Sequence, residues 1–272
     1  LTVSDGAFNL GTSGTWSNAG ATVNLSGGTL TLGNFNTANA GSIAQTGGSA
    51  SLTGTATNTG NTWNITTTGL TALNLAGTVT GGTLQGTGLT VNGTSATHSG
   101  VTRDADLAVR GNGNLYLNGG LTFANSGRTL SLGGAASYGR LIYNGTQSIL
   151  GNGNISFAAT NGNYSYIYGD GTGVSLTLGP NISLSGTASG SMAYAQLGNY
   201  ANDSIIFQGT LTADQANRTF STYGNFTNAG TLNVSAGIFN LGNVAPGGLG
   251  TINTTAAGVF NLTGTLDLAS GS

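Results

Sequence analysis

The chain has 272 residues, 50 of them glycine, with no cysteine and a formal net charge of -2 carried by five Arg and seven Asp. The absence of cysteine excludes a disulfide scaffold and a thiolate metal site. The absence of Lys and Glu argues against long exposed helices, whose faces those residues fill, and against a basic nucleic-acid surface, which needs clustered cations.

From the N-terminus, apolar residues alternate with Thr, Ser or Asn: Phe8/Leu10, Val23/Leu25, Leu30/Leu32, Trp63/Ile65, Leu73/Leu75 and Leu89/Val91. The pattern continues through Leu107/Val109, Leu115/Leu117, Leu130/Leu132, Ile155/Phe157, Leu176/Leu178 and Ile205/Phe207 to Leu232/Val234 and Phe260/Leu262. Each pair marks a short strand with one buried face. Gly-Gly, Asn-Gly and Ser-Gly punctuate them. No stretch has helical period; Ala213 to Asn217 is the best candidate for a single turn.

Spacing decides the class. The anchors Leu10, Leu32, Leu52 and Leu75 lie 22, 20 and 23 residues apart. An Asn-Ala-Gly…Leu-Gly-Asn unit at 18–34 recurs at 228–243. Three short strands per period of about 20 residues is the arithmetic of a parallel β-helix, in which stacked coils bury an apolar face that no coil can bury alone. The expectation is an all-β, parallel β-helix of roughly a dozen coils, a rod about 60 Å long at 4.8 Å per coil. It forms one domain over 1–272, with regular coils at about 1–135, wider or loop-bearing coils at about 136–228, and regular coils again at about 229–272. Gly suits the corners, and Asn can ladder with the Asn one coil away. The alternative is an antiparallel β-sandwich, with Ser26-Gly27-Gly28-Thr29 as a hairpin turn.

Residues 243–252 and 258–268 (Asn-Val-Ala-Pro-Gly-Gly-Leu-Gly-Thr-Ile and Gly-Val-Phe-Asn-Leu-Thr-Gly-Thr-Leu-Asp-Leu) resemble the Pro-Gly…Gly-Thr-Leu coil of bacterial autotransporter passenger domains and of filamentous haemagglutinin-like surface proteins. The stretch from Gly69 to Gln85 is similar to the passenger-associated repeat of the same group. The resemblance implies a right-handed β-helix displayed outside a Gram-negative cell. Residues 1–272 carry neither that family's translocator barrel nor an Asn-Pro-Asn-Gly secretion motif. The start at Leu1 leads us to expect an excised piece of a longer protein. No apolar run reaches the roughly 20 residues of a membrane-spanning helix.

Chemistry is sparse. The densest charge cluster is Arg103-Asp104-Ala105-Asp106 with Arg110, preceded by His98. Asp104 and Asp106 share a strand face and are weak candidates for a cation or an acid/base pair; the competing reading is a surface edge whose charges cancel. His98 is expected at the surface or in a turn. Asp170, alone among glycines, reads as a turn rather than a calcium loop, which needs several carboxylates. No cofactor is expected, and no histidine stands in a triad pattern. Trp16 and Trp63 read as single core fillers.

Eight of the nine tyrosines lie between 138 and 223. Tyr164, Tyr166 and Tyr168 alternate, which places them on one strand face. Tyr143, Tyr194 and Tyr200 join them if coils stack in register. This set is the candidate binding patch, able to stack on sugars or dock on a neighbour; the competing reading is that these tyrosines fill a wider interior. The functional expectation is a non-enzymatic structural or adhesive segment of an extracellular bacterial surface protein. Its partners would be further copies, neighbouring domains, glycans or host surfaces. The alternatives are a polysaccharide-binding or polysaccharide-degrading β-helix and, more weakly, an ice- or crystal-binding Thr array.

Overall fold

The computed structural model describes residues 1–187, 192–199, 203–244 and 246–267. The chain winds into a right-handed parallel β-solenoid of about 11 turns. Every ladder between its strands is parallel. This overturns the sandwich alternative. Thr22–Leu25 and Thr29–Asn36, on either side of the supposed hairpin turn, do not pair with each other. They pair with Ser42–Gln45 and Ser49–Leu52 of the next coil.

Each coil presents three faces. The first runs through Thr2–Val3, Thr22–Leu25 and Ser42–Gln45, and later through Ser175–Leu178, Ser204–Phe207 and Asn225–Asn228. On the second, the four leucine anchors stand directly over one another: Leu10 over Leu32, Leu32 over Leu52, Leu52 over Leu75. The third includes Gly139–Tyr143, Tyr164–Gly169, Ala193–Leu197, Arg218–Thr222 and Gly237–Leu241. Alternation sets the burial. In Thr231–Val234, Leu232 and Val234 point inward while Thr231 and Asn233 remain half-exposed. A fully buried Leu contributes roughly 1.5–3 kcal/mol, so the repeated inward column supplies most of the driving force.

Inward aromatics also stack from coil to coil. Trp16 lies 4.6 Å from Phe35, and Phe35 meets Trp63 edge-on at 5.4 Å. The tryptophans are therefore parts of one stack rather than isolated fillers. Phe220, Phe239 and Phe260 form a second stack at 6.5 and 5.7 Å.

The Asn-x-Gly corners have a specific mechanism. Asn58 lies inside its corner, donates from Nδ2 to the carbonyls of Gly81 and Thr83 in the next coil, and accepts from Thr37 Oγ1. Asn18 donates likewise to Ala40 and Ser42, and Asn228 to Leu249. Above each lies a glycine at positive φ: Gly41, Gly82 and Gly250. A Cβ on Gly82 would collide with the Asn58 carbonyl. One coil's amide thus satisfies the carbonyls that the next coil's tight turn leaves unpaired.

Coil size varies along the rod. Thr29 stands over Ala7 and Ser49 over Thr29, offsets of 22 and 20 residues. Gly139 over Gly113 is an offset of 26, and Tyr194 over Tyr164 one of 30. Gly258 over Gly237 returns to 21. The extra residues of the wide coils fall mainly in the connections that enter the third face, such as 133–138 and 158–163. The stretch 213–217 forms no helix but makes one turn, the Arg218 N–H donating to the Gln215 carbonyl, between the strands Thr210–Ala213 and Arg218–Thr222.

Candidate binding surface

The strand Tyr164–Gly169 points Ser165 and Ile167 inward and Tyr164, Tyr166 and Tyr168 outward. Ser165 fixes the strand from inside, its hydroxyl donating to the Leu132 carbonyl at 2.6 Å and accepting from Ala159 N. Register then carries the outer column on: Tyr164 pairs with Tyr194, and Tyr166 with Arg140 on one side and Gln196 on the other. The rings meet. Tyr164 stacks on Tyr194 at 4.6 Å and on Tyr166 at 5.4 Å, and Tyr168 meets Tyr166 edge-on at 6.1 Å.

Two further residues complete the strip, Tyr138 and Arg140, which lie in the tyrosine-rich 138–223 region but outside the candidate set of tyrosines. The Arg140 guanidinium sits 4.0 Å from the Tyr138 ring centre and 5.4 Å from that of Tyr166. Tyr138 itself meets Tyr166 edge-on. The signal was present: Tyr138 and Arg140 are two apart, as Tyr164 and Tyr166 are. Partial burial raises the Tyr166 phenol above its ordinary value, with Arg140 pulling the other way.

Tyr143 does not belong to the strip. It shares parity with Leu141, lies wholly inside, and donates from its hydroxyl to the Ser204 carbonyl at 3.1 Å. Burial, then the Asp203 carboxylate, raises its phenol further. Gly169 stands over it in register and leaves room for the ring. Tyr200 lies outside the described residues.

Beyond Tyr194 the column changes character. Thr219 follows in register, and Gln196 is followed by Ser221 and Asn240. A groove of about 220 Å³ opens there, walled by Tyr164, Tyr194 and the half-exposed Tyr223. Among the described residues, no charged side chain lines it.

Asp104 and Asp106 do share the outer face of Ser95–Arg110, but protein donors hold both carboxylates. Asp104 accepts from Arg128 Nε at 2.7 Å and from Gln85 Nε2 at 3.0 Å. Hydrogen bonds from Asn125, then Arg128, hold its carboxyl below the usual range. Asp106 accepts from Thr129 N at 2.8 Å. Among the described residues, no three carboxylate or imidazole groups converge on a metal position. Asn64, Thr66, Gln85, Asp104 and Arg128 border a second hollow of about 250 Å³.

The remainder of that cluster is not a surface edge. Arg103 and His98 are fully buried. Arg103 donates from Nη2 to the Thr129 carbonyl and lies 4.9 Å from the Phe123 ring, while its Nε and Nη1 have no partner. Both imidazole nitrogens of His98 lack partners. Burial, then the nearby Arg103 charge, pulls His98 down to about 3. Bringing Arg103 inside also brings its pKa down to about 9.

Comparison with known proteins returns no match: neither a family model, nor a curated protein, nor a solved structure is similar to this chain. Among the described residues no helix is long and apolar enough to cross a membrane.

Proposed function

We propose that the chain is a structural and adhesive segment of an extracellular bacterial surface protein, whose attachment surface is the outward strip Tyr138–Arg140–Tyr164–Tyr166–Tyr168–Tyr194. The carrying observation is that these rings contact one another across three coils on the outside of the rod. Aromatics that served only the interior would face inward, as Tyr143 does. Exposed aromatic clusters with an embedded Arg have the composition of interaction hot spots. Display outside the cell is supported by the sparse charge, the lack of cysteine and the resemblance of the closing coils to autotransporter passenger and haemagglutinin-like domains. In this reading the rod holds the strip at a distance and does no chemistry.

A polysaccharide-cleaving alternative finds less support. It needs a free carboxyl pair, whereas Asp104 is engaged by Arg128 and Gln85 and Asp106 by a backbone amide. The attachment reading is tested by immobilising the chain and measuring cell adhesion and self-association for native protein and for the Tyr164→Ala/Tyr166→Ala/Tyr194→Ala variant. Loss of adhesion with unchanged strand circular dichroism is expected. Equal adhesion by the variant overturns the reading.

A further inference from the structure

We propose that the groove between Tyr194 and Tyr223 is a binding slot for a single neutral sugar ring of a glycan. This deepens the attachment reading and rests on it. Three observations combine.

The first is the end of the aromatic stack. Tyr164 covers one side of Tyr194, but Thr219 rather than a ring follows Tyr194 in register. Among the described residues no other ring stacks on Tyr194 or Tyr223. Tyr223 stands half-exposed just past the end of Arg218–Thr222, with its backbone N–H donating to the Leu197 carbonyl. Two tyrosines thus flank a slot whose base is small and hydroxylated.

The second is the polar lining. Asn261 Nδ2 donates to Asn240 Oδ1 at 2.9 Å, and Asn240 Nδ2 donates to Ser221 Oγ at 3.3 Å. The chain of donors therefore ends on Ser221, which keeps its own hydroxyl hydrogen to give. Gln196 uses its Nε2 on the Gly198 carbonyl and Asn199 Oδ1, and its Oε1 remains to accept. Directional donors and acceptors beside aromatic walls suit a pyranose. Its C–H face meets the negative face of an aromatic ring, and its hydroxyl rim both donates and accepts.

The third is size and charge. About 220 Å³ is smaller than the roughly 300–1,000 Å³ of pockets that enclose drug-sized ligands, so one ring enters and the rest of the glycan stays outside. With no cation among the described lining residues, a nucleotide phosphate or a sulfated sugar meets no counter-charge from them. An aromatic peptide side chain would leave the Gln196 and Ser221 groups unpaired.

The test is saturation-transfer NMR and calorimetry of the full chain against neutral oligosaccharides built from glucose, galactose, mannose or N-acetylglucosamine. Dextran sulfate and a Trp-containing peptide serve as the charged and aromatic comparisons. Variants are Tyr194→Ala, Tyr223→Ala and Gln196→Leu, with Tyr116→Ala, a half-exposed tyrosine outside both the strip and the slot, as the control. We expect at least one neutral oligosaccharide to bind. Its affinity should fall roughly tenfold or more in each slot variant, about 1.4 kcal/mol, and hold within about twofold in Tyr116→Ala. Binding unaffected by Tyr194→Ala and Tyr223→Ala, binding confined to dextran sulfate or the peptide, or no binding at all overturns the slot. If cells still attach through Tyr164 and Tyr166 in those cases, the attachment reading stands and only the slot falls. Unchanged strand circular dichroism and melting temperature confirm that each variant is folded.

Discussion

Replacing His98 with Leu should stabilise the rod, and the gain should grow as the pH falls. His98 occupies an inward column between Val79 on one coil and Leu117 on the other. Neither ring nitrogen has a partner. An unsatisfied buried polar group costs about 1–3 kcal/mol, and the imidazole carries two. Repacking an aliphatic residue of similar size loses up to about 1.5 kcal/mol, which leaves a net gain of about 2 kcal/mol near pH 7.5. The pH dependence follows from burial. Inside the rod the imidazole titrates at about 3 rather than 6.5. Between those values the unfolded chain holds a proton that the folded chain does not. The stability from keeping His98 neutral is fully present above 6.5 and is lost as the pH falls towards 3, at about 1.4 kcal/mol per unit. Over the whole window this reaches on the order of 5 kcal/mol. Guanidinium unfolding midpoints at pH 7.5, 5.5 and 4.5 measure it, with the slope checked for constancy. Subtracting native from variant cancels the carboxylates, which titrate in both. A less stable variant at pH 7.5, or a difference that stays flat down to pH 4.5, refutes the reasoning.

The corner device is tested by Gly82→Ala, which forces a Cβ onto the Asn58 carbonyl at positive φ; it should cost more than about 2 kcal/mol in thermal unfolding. The interior of the wide coils yields a coupled pair. Arg218 donates from Nη2 to the carbonyls of Ala159 and Thr187, and a Cβ on Gly186 would strike its side chain. Gly186→Ala should therefore destabilise the native chain yet be close to neutral on an Arg218→Ala background, a coupling of about 1–3 kcal/mol in a double-mutant cycle. Equal effects on both backgrounds would show that Gly186 is not there to admit Arg218. Sugar affinity at the slot should not change between about 50 mM and 500 mM salt, because no charged group lines it among the described residues; attraction through Arg140 would be screened over that range.

The solenoid was legible because its physics is repetitive. Leu10, Leu32, Leu52 and Leu75 repeat at nearly constant spacing, and the structure stacks them in register. Where expectation and structure part, parity along the strand outweighs residue type. Arg103 alternates with Val101, Ala105 and Leu107, and all four point inward; its charge suggested the surface, but position in the strand decided. Tyr143 was grouped with the other tyrosines by composition although Leu141, two residues earlier, marks its side of the strand as inward. The pairing of Tyr164 with Tyr194 was conditional on register because a 30-residue coil cannot be inferred from the 20-residue period before it. Arg140 is a single cation that carries no pattern in the sequence until the neighbouring coil supplies Tyr166.

In-register parallel strands lie about 4.8 Å apart, close to the separation at which aromatic rings stack. Identical ring positions in successive coils therefore stack almost without further design, inside the rod or outside it. The Phe220–Phe239–Phe260 column uses this spacing to fill the core, and Tyr164–Tyr194 uses it on the surface. Stacking of this kind covers ring faces, so an uninterrupted outer column would present only edges and hydroxyls. Recognition by a ring face requires the column to stop. It stops at Thr219, where the groove lies and where the Gln196–Ser221–Asn240 ladder runs alongside. The same periodicity that makes the scaffold thus makes its interruption the informative position, and places the specific part of the surface one coil beyond the most conspicuous tyrosines.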